Sequence, residues 1–188
     1  METLGLSNST PRADKRLKNL FWPSIQSQTE VDYLGTQGYW VCAAVATIGL
    51  FTLAFNDQPI AGLAVFLLYF LGGVGVRERS RYAAAIVVVL YAVEIMLSGP
   101  SIVRVIIFAL LLSNLRATWI AARWKPESEE AVLPPRLAEA WGDKFADQLP
   151  AWLWPKVRIL YYIFSIGYLA LISFGLMAMV YRSARALP

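Results

Sequence analysis

Apolar and polar residues come in long blocks along this chain. Five blocks are predominantly apolar: 38–55, 60–76, 81–97, 101–122 and 157–181. A helix crosses the hydrocarbon core of a bilayer with ~20 such residues, so each block predicts one membrane-spanning helix. Blocks three and four form a hairpin that turns at Ser98-Gly99-Pro100. Asn56-Asp57-Gln58-Pro59 makes the turn between the first two, and Arg77-Glu78-Arg79-Ser80-Arg81 a short basic loop before the hairpin. The expected fold is all-α: a polytopic transmembrane bundle of about five spans, with one or two interfacial amphipathic helices.

Four regions follow from this pattern. Residues 1–36 form a polar N-terminal arm. Within it, 12–22 place Leu17, Leu20 and Phe21 on one side of a short helix and four basic residues largely elsewhere. This reads as a surface helix with Trp22 at the head groups, or equally as a solvated basic arm. Thr29 or Asp32 offers a cap for the next helix. Residues 37–124 form a four-helix membrane region. Residues 125–155 are the one sizeable polar loop, in which Leu137, Trp141, Phe145, Leu149 and Trp152 recur at helical spacing. That stripe, with Trp154 close by, predicts a helix half-sunk in the interface, or one docked on a partner. Residues 156–188 hold the fifth helix and a short basic tail.

Composition sharpens the membrane reading. Hydrophobic residues make up 57% of the 188 positions and charged residues 16%, with a mean hydropathy of +0.51. Soluble domains carry about 25% charged residues. Seven Trp suit the two membrane–water interfaces. The net charge of +4 flanks apolar blocks and forms no basic face, which fits lipid head groups and not nucleic acid. No apolar stretch follows a basic start within residues 1–36, so the first block is expected to remain as an uncleaved anchor.

Charge also orients the chain. Arg12, Lys15, Arg16, Lys18, Arg77, Arg79, Arg81, Arg123 and Lys125 share one face of the five-span arrangement, whereas turns 56–59 and 98–100 carry no Lys or Arg. The positive-inside rule then puts the N-terminus and residues 125–155 in the cytoplasm of a bacterial inner-membrane-type protein. Arg182 and Arg185 fall on the opposite side, against the trend; a four-span count would remove that conflict.

Chemistry-bearing residues are few. The chain has no His, which removes imidazole metal sites and Ser-His or Cys-His catalytic pairs. The single Cys42 forms no internal disulfide. With Ala46 and Gly49 it makes a small-residue stripe that admits a neighbouring backbone. Gly72-Gly73-Val74-Gly75 resembles part of a nucleotide loop, but no strand precedes it and no Lys-Ser/Thr follows, so a helix end or a close helix contact is the better reading. No catalytic motif, cofactor or metal site is expected.

Two charges lie within the hairpin arms. Glu94 and Arg104 each stand ~5–6 Å from the turn at 1.5 Å per residue. They are expected to form an ion pair near the surface, with a transport or proton-relay role as the alternative. On the second arm, Asn114, Arg116 and Ser113 stand ~80°, ~120° and ~180° from Arg104. Polar groups so spread suit a helix with several neighbours, not a pore wall. Arg116, Trp119, Arg123 and Trp124 are placed to meet lipid head groups.

These readings favour a non-catalytic multi-pass membrane protein, an accessory subunit or scaffold whose partners are lipids and other membrane subunits or its own copies. The alternative is a small oligomeric transporter or channel that uses Glu94 and Arg104. A third reading is a lipid-interacting protein that works through Arg116, Arg123 and the helix over 136–154.

Overall fold

The computed structural model describes residues 28–123, 149 and 152–185. The surface helix expected over 12–22, most of that over 136–154, and Trp124 lie outside them. The described chain is all-helical, with α1 (Gln28–Phe55), α2 (Pro59–Arg77), α3 (Arg81–Ser98), α4 (Ile102–Ala121) and α5 (Leu153–Arg185). All five are long and apolar enough to cross a bilayer, so this is a multi-pass membrane protein.

The turns are built from local chemistry. Asp57 takes a left-handed φ of 58° and the Gln58 amide bonds back to the Leu53 carbonyl at 2.9 Å, closing α1. Pro59 then opens α2 at a position where its missing amide proton costs nothing. Arg79 repeats the device with φ 56°, and the Ser80 amide reaches the Gly75 carbonyl at 2.9 Å. Ser80 and Ser101 cap α3 and α4, accepting from the Ala83 and Arg104 amides. Gly99, at φ 82°, makes the hairpin turn.

Two helices start earlier than the apolar blocks predict. α1 begins at Gln28 instead of Gly38, and α5 at Leu153 instead of Val157. Asp32 is therefore a helix-interior residue and not a cap. The polar composition of 28–37 hides a buried face of Val31, Leu34, Gly35 and Gly38 at helical spacing.

Helices α1 to α4 pack as a ring in chain order, with α4 closing onto α1; α5 stands outside, against α2 and α3. Because the links are short, neighbours alternate in direction. The starts of α1, α3 and α5 and the ends of α2 and α4 gather at one end, called here the basic end. The turns at 56–58 and 99–101 define the far end.

Glycines in α2 explain its central place. A Cβ on Gly72 would meet Val87 of α3 at 2.5 Å and the Tyr161 hydroxyl of α5 at 2.8 Å. On Gly73 it would meet Cys42 Cβ of α1 at 2.8 Å, and on Gly75 it would strike Trp154 and Ala83. Thus Gly72-Gly73-Val74-Gly75 is helix interior: Gly73 admits α1, while Gly72 and Gly75 both admit α3 and α5. Cys42 and Ala46 are fully buried, and Gly49 abuts Val65 of α2.

Candidate functional site

Two polar clusters occupy the two ends of the bundle. At the basic end, Arg79 grips Asp32 of α1 with two donors, Nε at 3.0 Å and Nη2 at 2.5 Å. Arg77 is only 4% exposed and donates from Nη1 to the Asp32 carbonyl at 3.3 Å. The expected basic loop is therefore a structural joint: it ties α2 to the extra turns of α1. Asn114 of α4 donates from Nδ2 to the Leu34 carbonyl of α1. It reaches that carbonyl because Gly38, one turn on, has no side chain in the way. Ser80 and Tyr162 share a 2.9 Å hydrogen bond that links α5 to the same end.

The far half of the bundle holds a cleft of about 600 Å³, lined by all five helices. Its walls are mostly apolar, from Val45 and Val65 to Leu90 and Ile107, and its polar groups are Glu94, Arg104, Tyr69, Tyr91, Tyr168, Ser98, Ser101 and Thr52. Exposed Ile48, Leu97, Ser101 and Val103 stand at its rim. The lining residues run from the middle of the bundle to its far end. Towards the basic end, Tyr39, Val74, Ala83, Trp154 and Tyr161 fill the interior.

The expected Glu94–Arg104 ion pair is not formed: among the described residues the Glu94 carboxylate bonds only to Tyr69, whose hydroxyl donates to Oε2 at 3.0 Å. Arg104 instead donates from Nη1 to the Ser98 and Gly99 carbonyls at 3.0 and 2.7 Å. The physical reason is the turn. Gly99 leaves the last carbonyls of α3 without helical partners, and a cation one turn into α4 meets them first. Glu94, on the other side of α3, faces α2. Both charges still reach one cleft.

The remaining predicted residues stand where α4 ends. Arg116 is half-buried, and Trp119 and Arg123 are exposed. Ser113, Asn114 and Thr118 are buried among neighbouring helices, as spread polar groups on one helix require. Trp154 is no interfacial residue: it opens α5 and is buried against Gly75, Tyr161 and Tyr162. Trp152 is exposed, with the Lys156 ammonium 4.9 Å from its ring centre. Sequence reasoning missed Asp32, Arg79 and Tyr69. For Asp32 and Arg79, opposite charges at the ends of adjacent antiparallel helices were the available signal; for Tyr69 there was none. Among the described residues no cluster of three His, Cys, Asp or Glu offers a metal site. Comparison of the chain with known protein families, with curated proteins and with solved structures finds no match in any of the three.

Proposed function

We propose that this protein is a non-catalytic accessory subunit or scaffold that acts by lateral contact with other membrane helices. The observation that carries this reading is the outer flank of α5. Tyr161 and Ser165 are buried and Tyr168 half-buried against the ring. Beyond them Leu171, Phe174 and Met177 are 68%, 73% and 71% exposed. Gly167 and Gly175 have open space where a Cβ would stand, whereas the packed glycines of α2 do not. A glycine in a membrane helix weakens that helix by ~1 kcal/mol, and its usual compensation is close approach of another backbone. The proposed location is a bacterial inner membrane with a cytoplasmic N-terminus, on the strength of the charge asymmetry.

The test is co-purification from native membranes with and without Gly167→Leu and Gly175→Leu. The substitutions leave folding unchanged and remove a stoichiometric companion, either another membrane subunit or a second copy. A chain that purifies alone, before and after substitution, refutes the reading. Transport through Glu94 and Arg104 remains the second reading, because both line the cleft. Solute flux in liposomes that Glu94→Gln abolishes, with folding intact, would replace the scaffold by a transporter. Reporter fusions at the two ends of the chain test the orientation.

A further inference from the structure

We infer that the far-half cleft binds one zwitterionic phospholipid with a primary ammonium head group, Glu94 taking the ammonium and Arg104 the phosphate. The argument starts from two half-used charges. Tyr69 occupies Oε2 of Glu94; no hydrogen bond from the described residues reaches Oε1. The Arg104 side chain spends Nη1 on two carbonyls; its Nε and Nη2 make no hydrogen bond to the described residues. Both groups line the same cleft, yet neither reaches the other.

Charges at membrane depth are costly unless paired, and two opposite charges facing one cavity ordinarily collapse together. Here each is held by its own contact, Glu94 by Tyr69 and Arg104 by the hairpin turn. A ligand that carries a cation and an anion a few ångströms apart satisfies both at once. An ammonium gives hydrogen bonds to the free carboxylate oxygen, and a phosphate receives them from the free guanidinium edge.

The walls choose the source of that zwitterion. Glu94 lies one helical turn from Ser98, ~6 Å below the turn, so a head group reaches it by seating one turn inside the far end of the cleft. The cleft continues inward over Val45, Val65, Leu68, Leu90 and Ile107, a lining suited to an acyl chain. A free amino acid or phosphoethanolamine would satisfy the charges and leave that wall unmatched.

The test is native mass spectrometry of the full chain released from nanodiscs that hold equal amounts of phosphatidylethanolamine, phosphatidylcholine and phosphatidylglycerol. One retained lipid per chain is expected, with the ethanolamine lipid favoured about tenfold over the glycerol lipid, the ratio one charge-assisted hydrogen bond supplies. Choline, which has charge but no N–H donor, falls between. Glu94→Gln keeps the hydrogen bond from Tyr69 and removes the preference. A Glu94→Gln protein that unfolds at the same sodium dodecyl sulfate fraction as the parent, yet has lost the preference, separates head-group binding from a structural role of Glu94. Equal retention of the three lipids, or an unchanged preference in a folded Glu94→Gln protein, overturns the inference. So does full displacement of the lipid by free phosphoethanolamine at matched concentration.

Discussion

Gly38→Ala adds one methyl group at the place where α4 bonds to α1. That Cβ would fall on the Asn114 amide, 2.7 Å from Cγ, and 2.9 Å from Val76 Cγ1. Asn114 must then swing off the Leu34 carbonyl. Its Oδ1 is already buried without a hydrogen-bond partner, so the whole amide becomes unsatisfied. A buried polar group left so costs about 1–3 kcal/mol in water-soluble folds, and interhelical hydrogen bonds in membranes average about 0.6 kcal/mol. Alanine returns up to ~1 kcal/mol of helix propensity. The net expectation is a loss of about 1–2 kcal/mol for Gly38→Ala. Asn114→Ala loses its bond, about 1 kcal/mol. With Asn114 already removed, the methyl at 38 meets the Val76 Cγ1 methyl at 2.9 Å, a side-chain end that can shift, and costs about 0.5 kcal/mol. The two substitutions are therefore coupled by about 1 kcal/mol. The assay is reversible unfolding in mixed micelles with increasing sodium dodecyl sulfate, followed by Trp fluorescence across all four proteins. Costs that simply add, within the ~0.5 kcal/mol seen for independent sites, refute the contact between α1 and α4 described here.

Other consequences are checked in the same system. Asp32→Asn weakens the grip of Arg79 on the first turns of α1; with side chains 22% and 26% exposed, the expected loss is about 1 kcal/mol. It should show as faster amide exchange over 28–36 while the rest of α1 is unchanged. Gly73→Val drives a side chain into Cys42 and should destabilise by about 1–3 kcal/mol, and Cys42→Gly should recover part of that. Cys42 is fully buried, so a maleimide should label it in the folded protein only after detergent unfolding; prompt labelling contradicts the packing of α1 on α2. Trp154→Ala empties the space over Gly75 and should cost about 3–5 kcal/mol. The loss should be read out as increased proteolysis at the start of α5, with α1 to α4 still resistant.

The five helices were legible in the apolar blocks because bilayer thickness sets a minimum length, and length is a property of the chain alone. The turns were legible for a similar reason: Pro59 and Gly99 act on their own neighbours. The glycine run at 72–75 was readable as a close contact, though not as contacts with three helices. The start of α1 was misjudged because the residues there are polar along the chain and apolar only on the face that packs; that of α5 was misjudged because Leu153 and Trp154 were read as the end of the preceding amphipathic stripe. Rotation about each helix axis is where sequence reasoning ended. These spans are apolar nearly all round, so composition does not say which face meets which neighbour, and the ring of α1 to α4 had to be seen. Glu94 and Arg104 show the consequence. Their equal depth followed from residue counting, but their partners, Tyr69 and the hairpin carbonyls, depended on which way α3 and α4 turn in the assembled bundle.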